Sequence, residues 1–372
     1  MRTIAALIWS AVTCHRFVRF GDLSPKQGRV QRPGRVGRLL AFDSDKSPAE
    51  SADKSAHSKV VAALPHREKC RLMPLFATGL FTFGLIFKPA AAEVLFERTS
   101  AYHQIRVVDE QGIRTLSFDG SFETRMSLQN PLQGHFEYTE YFHMPWIWLN
   151  LSNVLMIGLG GGSTQRSYQH YYPTVTIDTV EIDPVVVQVA RDYFSVSESS
   201  THKIHVADGR VFLRRATNRY DAILVDAYTE NRYGSFLPRH LVTREFFQMA
   251  SDRLSTNGVL AYNVIGQIYG QRANLLGAMH RTLKTVFPEV YLFPAGDSQN
   301  VVFVAAKSRL KYSASLAQQR AVWLVQQKRF TLPTFTRRAG ALRTDVPAPW
   351  SGSPILTDDY APIEGLLKQG AN

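Results

Sequence analysis

Hydrophobic and polar positions change their rhythm at about residue 150. Between residues 93 and 123 they alternate in twos: 94–97, 102–108 and 114–118 read as strands, Asp109-Glu110-Gln111-Gly112 as a hairpin turn and Asp119-Gly120 as the next turn. This predicts a small antiparallel sheet that could act as a lid or a dimerisation surface. From 150 onward, short unbroken apolar runs alternate with helical stretches. Strands are read at 154–157, 174–182, 203–206, 220–225, 259–264, 290–293 and 301–305; helices at 163–172, 185–194, after Asp208-Gly209 to about 217, at 240–254 and at 272–286. Strands alternating with helices predict an α/β fold with a doubly wound, mostly parallel sheet. Only residues 294–300 separate the last two strands, too few for a crossover, so these should pair antiparallel.

The pattern gives five regions: 1–71, 72–92, 93–149, 150–308 and 309–372. The first is poor in apolar residues over 21–59 and reads as a disordered leader or as sequence upstream of the true start. Residues 72–92 form a signal-type apolar segment: a basic patch (His66, Arg67, Lys69, Arg71), an apolar run over 72–87, then small residues ending at Ala92. The expectation is export to the periplasm or secretion, with an uncleaved anchor as the membrane alternative and a cytoplasmic protein if the segment is no signal. Region 93–149 is the β-rich domain with an aromatic connector over 134–148, and 309–372 a tail with a helix over 315–328 packing on the sheet edge or a second subunit.

Net charge of +12 suggests an anionic partner until it is mapped. Residues 1–92 hold 15 Lys and Arg against 6 Asp and Glu, which leaves 28 against 25 for the remainder. The excess belongs to the leader, and no nucleic-acid partner is expected. Both cysteines, Cys14 and Cys70, also precede residue 92, which removes thiolate chemistry from the rest; His135 and His143 lack zinc-type spacing, so no metal is expected.

The candidate chemistry gathers behind one strand. Val154-Leu155-Met156-Ile157 runs into Gly158, and Gly160, Gly161 and Gly162 follow, a turn that lets a ligand approach the backbone and the next helix N-terminus. Glu181, Asp208 and Asp226 each end or follow a predicted strand, and in open α/β sheets the carboxyl ends form the ligand rim. A carboxylate about 20 residues beyond the glycines suits ribose hydroxyls, and Asp208 suits an adenine amino group. Dinucleotide binding competes, but Ser163 stands where G-x-G-x-x-G ends, and no second nucleotide-binding half follows. Glu140, between Tyr138 and Tyr141, is suited to hold a cation.

With these residues in place, the chain resembles the spermidine synthase (polyamine aminopropyltransferase) family of the class I S-adenosylmethionine-dependent transferase fold, over about 94–306. The resemblance rests on Ser100-Ala101-Tyr102-His103, Leu116-Ser117-Phe118-Asp119-Gly120, Tyr138-Thr139-Glu140, the glycine turn, Glu181-Ile182-Asp183, Asp208-Gly209 and 220–226, with Leu356-Thr357-Asp358-Asp359-Tyr360-Ala361-Pro362 near the carboxyl end. It implies aminopropyl transfer from decarboxylated S-adenosylmethionine to a diamine such as putrescine, a homodimer, and nucleoside contacts from His103, Gly158, Gly160, Gly161, Glu181, Asp208, Gly209 and Pro238. Tyr138 and Glu140 would hold the polyamine, and Asp358 and Asp359 would return to the rim.

Two departures bear on activity. The family loop reads G-G-G-D-G-G, its aspartate holding the aminopropyl amine, whereas Gly161 stands there in this chain; the family's D-S-S-D-P becomes Asp226-Ala227-Tyr228-Thr229-Glu230, with Thr229 at the place of the base. Loss of a positioned base lowers the rate by about 100- to 10,000-fold. Asp226 or Glu230 would have to serve instead. Three readings follow: an aminopropyltransferase, a methyltransferase using intact S-adenosylmethionine, and a non-catalytic polyamine or nucleoside binder.

Overall fold

Turn chemistry sets the amino-terminal sheet. In the computed structural model, which describes residues 92–231, 234–270, 273–327 and 332–368, Gln111-Gly112 and Asp119-Gly120 all have positive φ, the pairing of a two-residue hairpin turn that matches strand twist. Four strands result, β1 (Glu93–Thr99), β2 (Gln104–Glu110), β3 (Ile113–Phe118) and β4 (Ser121–Ser127), antiparallel in chain order. Strand β4 is absent from the sequence reading because Ser121, Glu123, Thr124, Arg125 and Ser127 give it little apolar signal. Every described residue belongs to one compact unit, Thr82–Asn372. Region 1–71 and the signal-type segment up to residue 91 lie outside the described residues.

The larger sheet is assembled from β5 (Asn153–Ile157), β6 (Thr176–Glu181), β7 (His202–Val206), β8 (Tyr220–Val225), β11 (Leu254–Ile265), β12 (Glu289–Pro294) and β13 (Asn300–Ala306), in the order β12-β13-β11-β8-β5-β6-β7. The first five in sequence are mutually parallel, and β12 and β13 run antiparallel, as their short connection requires. Strand order reverses at β5, which has β6 on one side and β8 on the other, and that reversal opens the crevice. Between β8 and β11 a small hairpin, β9 (Thr229–Asn231) with β10 (Gly234–Phe236), occupies the stretch whose path the sequence left open.

Alternate strand residues feed two cores. Leu155, Ile223, Tyr262 and Phe303 face α4 (Gly209–Arg215), α5 (Arg244–Arg253) and α6 (Ala273–Lys284); Met156, Leu224, Ala261 and Val304 face α1 (Tyr138–Tyr141), α2 (Ser163–Tyr171), α7 (Ala314–Gln326) and α8 (Phe335–Ala339). The aromatic connector belongs to the second core, with Tyr141, Phe142, Met144 and Ile147 at 1% exposure or less. The tail helix α7 buries Ala317, Ala321 and Leu324 against this chain's own sheet.

Local signals set the helix ends. Pro184 opens α3 (Pro184–Tyr193) with Asp183 as its cap, accepting from the Val185 amide at 2.8 Å. Helix α5 starts at Arg244, four residues later than expected, because Thr243 caps it and 239–241 form a separate short turn. Helix α3 also carries the amino-terminal sheet: Ile105, Val107, Leu116 and Met126 pack on Val185, Val186, Val189 and Phe194. This docking brings β4 over the glycine turn.

Candidate active site

The rim is built in strand order. Asp226 follows β8, Gly158 follows β5, Glu181 ends β6 and Asp208 follows β7, so neighbouring strands present them in sequence along one edge. Gly158 has φ of 99°, and a side chain there would overlap the carbonyl of Asp226. Only glycine lets β5 and β8 leave the sheet so close together. One cavity, with about 1100 Å³ of space counted out to its open mouth, is lined by Gly158, Gly160, Glu181, Asp208, Gly209 and Asp226, together with His103, Tyr138 and Pro238. The sequence-predicted site is therefore largely one place.

Each carboxylate is held. Glu181 accepts from the Leu159 amide at 2.9 Å with one oxygen and from the Asp183 amide at 3.0 Å with the other, which fixes its orientation toward the glycine turn. Burial pushes its pKa up against those two amides. Asp208 caps α4 through the Val211 amide at 2.8 Å, and its second oxygen meets His240 Nε2 at 2.8 Å. Asp226 accepts from Asn263 Nδ2 at 2.9 Å and from the Tyr138 hydroxyl at 3.1 Å. Burial raises Asp226 to about 6, with the bonds from Asn263 and Tyr138 opposing the rise. Asn263 is itself oriented by Asn300 Nδ2, which donates to its Oδ1 at 3.1 Å.

Four carboxylates, Glu123, Glu181, Asp208 and Asp226, line the cavity, and among the described residues that line it there is no Lys or Arg. Such a field favours a cation. Apolar and aromatic walls from Phe118, Phe136, Tyr138, Phe142 and Tyr228 complete it.

Three expected residues, Glu140, Thr229 and Gly161, are not among the described lining residues. The Glu140 carboxylate is not in the lining: it is held by Arg338 and by His135 Nε2 at 3.2 Å, and Arg338 also pairs with Glu137 at 2.6 Å. Burial would raise Glu140, but His135 and Arg338 override it and hold the acid at about 2. Its charge is thus committed to an ion network with the tail. Thr229 is exposed on β9, and Glu230 pairs with Ser235 through the hairpin backbone. Gly161 lies behind the lining, its amide donating to Thr124 Oγ1 at 2.9 Å. Asp358 does approach the rim: it binds Arg210 through both oxygens, at 2.7 and 2.6 Å, and accepts from Thr243 at 2.7 Å, beside Asp208 and His240. Glu123, Asn263 and His240 were not legible as site residues: Glu123 and Asn263 lie within strands, and His240 falls inside a predicted helix.

A profile of the spermine/spermidine synthase domain matches residues 135–309. A polyamine aminopropyltransferase of Vibrio vulnificus (strain CMCP6) is 32% identical over 309 residues, 80% of this chain and 97% of that protein. The chain belongs to the spermidine synthase family. Within and beyond that family, an eEF1A lysine and N-terminal methyltransferase of Xenopus laevis is 31% identical over 170 residues, 44% of this chain and 24% of the other. The crystal structure of a probable spermidine synthase from Corynebacterium glutamicum ATCC 13032 superposes with a TM-score of 0.53 at 18% identity, covering 62% of this chain and 86% of that one. That likeness supports the fold: a spermidine synthase sheet preceded by a four-stranded antiparallel one.

Proposed function

We propose that the protein transfers an aminopropyl group from decarboxylated S-adenosylmethionine to a diamine such as putrescine, with Asp226 as the proton acceptor. The observation that carries this reading is the lining: four carboxylates among the described residues, one of them, Asp226, held by Tyr138 and Asn263 and poised near 6. The donor is a sulfonium that also bears an ammonium, and it supplies a carbon activated for displacement. Glu181, oriented by two backbone amides, suits the ribose hydroxyls, and Asp208 the adenine edge.

In the transfer, the amine nitrogen of the acceptor forms the new C–N bond as the C–S bond breaks, and the electron pair of that bond stays on sulfur as a thioether. The nitrogen must give up a proton. Asp226, ionised above about pH 6, accepts it, while Tyr138 and Asn263 hold the carboxylate in position. Asp226 thus takes the role that Thr229, exposed on β9, lacks the chemistry to fill. Polyamine binding by Tyr138 at the cavity wall belongs to the same proposal, as do a homodimer and, from the leader, export; size determination by light scattering and mass spectrometry of the mature amino terminus test the last two.

A second reading, methyl transfer from intact S-adenosylmethionine, draws on the similarity to the Xenopus methyltransferase and on Gly161. Purified protein incubated with putrescine and either sulfonium distinguishes them. Methylthioadenosine release supports aminopropyl transfer; S-adenosylhomocysteine release supports methyl transfer. Release of neither, with retained binding, leaves the non-catalytic polyamine or nucleoside binder.

A further inference from the structure

Two side-chain amides stand in line behind Asp226. Strands β11 and β8 part after the Tyr262–Val225 pair, so Asn263 is the first residue of β11 beyond its parallel neighbour, level with the acid that follows β8. On its other side Asn263 pairs with Val302, and Asn300 lies two residues before Val302 on β13. Diagonal neighbours of that kind share a face of the sheet and come within reach of each other. Asn300 Nδ2 donates to Asn263 Oδ1 at 3.1 Å, and Asn263 Nδ2 donates to Asp226 Oδ1 at 2.9 Å. Both bonds therefore run in the same direction, toward the carboxylate. The backbone carbonyl of Asn263 also accepts from the Tyr228 hydroxyl at 3.0 Å, which ties the segment after Asp226 to the same residue.

An amide has one accepting end and one donating end, whereas an ionised carboxylate only accepts. Asn263 can meet Asp226 in two ways: its Nδ2 donates to a carboxylate, or its Oδ1 accepts from a protonated acid. At 1% exposure Asn263 is too deeply buried for either end to be left unmatched at little cost. Asn300 occupies Oδ1 with a donor and so leaves Nδ2 for Asp226. Among the described residues, the ionisable groups around Asp226 are the hydroxyls of Tyr138 from α1, Tyr228 beyond β8 and Tyr262 from β11, with Glu123, Glu181 and Asp208 lining the same cavity. Burial raises all three hydroxyls, which therefore stay neutral where Asp226 titrates.

We infer that Asn300 is a positioning residue for the proton acceptor: it holds the Asn263 amide with its donating end toward Asp226 and thereby favours the carboxylate over the neutral acid. This rests on the proposed role of Asp226 in aminopropyl transfer. It places one determinant of that role on β13, two strands along the sheet from β8. Asn300→Asp reverses the polarity with almost no change of shape. A carboxylate at that position only accepts, so Asn263 turns Nδ2 toward β13 and Oδ1 toward Asp226, which then bonds best when it carries a proton.

The test follows the titration of Asp226 by NMR in full-length protein labelled with carbon-13 at the aspartate carboxyl carbons, its signal assigned by loss in Asp226→Asn. The midpoint is compared in wild type, Asn300→Asp, Asn263→Leu and the double variant. The leucine background keeps the through-space repulsion between the two carboxylates and removes the amide between them. Asn300→Asp should raise the midpoint, and the rise should be about one pH unit larger when Asn263 is present, about tenfold in proton affinity. Equal rises in the two backgrounds overturn the inference, because repulsion alone would then explain them. An unmoved midpoint overturns it as well, since the role of Asn300 would then be packing. The titration needs no turnover, so absence of methylthioadenosine release from wild type would defeat the proposed transfer and still leave the polarity of Asn263 decided by these midpoints.

Discussion

Replacing Asp226 by asparagine should make the protein more stable and inactive. In the folded chain Asp226 titrates near 6, against 3.8 for an ordinary aspartate, because burial disfavours its charge. A shift of that size corresponds to about 3 kcal/mol at any pH well above 6, a cost carried by the native state. The carboxylate faces an open cavity, so about 3 kcal/mol is an upper figure. The sign follows from proton counting. Between about pH 4 and 6 the native state binds more protons at this site than the unfolded chain does, and stability falls as pH rises through that window. Above 6 the full cost is present; at pH 5 roughly half of it remains, and below 3.8 it is gone. Asparagine keeps the geometry, since its amide can meet both Asn263 and Tyr138. Urea unfolding of wild type and Asp226→Asn at pH 8 and pH 5 measures the effect. The variant should be the more stable at pH 8, with the gap narrowing at pH 5, while methylthioadenosine release falls by about 100- to 10,000-fold. A variant of equal or lower stability at pH 8, or a gap independent of pH, refutes the assignment of a strained carboxylate.

Three further outcomes follow from the same geometry. Asn263→Leu removes the stronger donor to Asp226 and should move the ascending limb of kcat/KM against pH from near 6 to about one unit higher; a limb that stays in place would separate Asp226 from the reaction. Gly158→Ala puts a methyl into the Asp226 carbonyl at a φ of 99°, and should lower the melting temperature by several degrees and remove binding of methylthioadenosine, read by thermal shift. Glu140→Gln should leave the KM for putrescine within about twofold, because the carboxylate is bound by Arg338 outside the cavity, yet cost about 1–3 kcal/mol in urea unfolding at pH 7. The folded pKa of Glu140 is depressed to about 2, so that stabilisation is complete above 4.5 and disappears as pH falls through 2; a large KM change would return Glu140 to the substrate.

What the sequence revealed and what it hid have one physical cause. Strand ends, the glycine turn and the rim acids depend on local rules: apolar runs, positive φ, capping by Asp183 and Asp208. These put Glu181, Asp208 and Asp226 on one rim, and the structure brings them together. The fate of Gly161 and Glu140 depends on residues far along the chain. Thr124 fills the space at Gly161 from 37 residues earlier, and Arg338 takes Glu140 from 198 residues later. No local pattern encodes either contact. Strand β4 was hidden by its polar composition, and with it Glu123. Aligning positions with a family therefore located losses of charge but not the residues that lie nearest in space.

The state of Asp226 also bears on whether the site catalyses or only binds. A site that merely holds a cation gains from a carboxylate that remains ionised over a wide pH range, as Glu140 does with Arg338 and His135 at about 2. Among the described residues, a tyrosine hydroxyl and an asparagine amide hold Asp226, and burial lifts it to about 6. Near neutral pH such a group can both accept a proton and release it to solvent, which a carboxylate at 2 does poorly. Glu140 is paired with Arg338, whereas Asp226, held by Tyr138 and Asn263, follows β8 at the topological switch point. That separation costs stability and favours turnover, so measured proton exchange at Asp226 during methylthioadenosine release is the finding that divides transferase from binder.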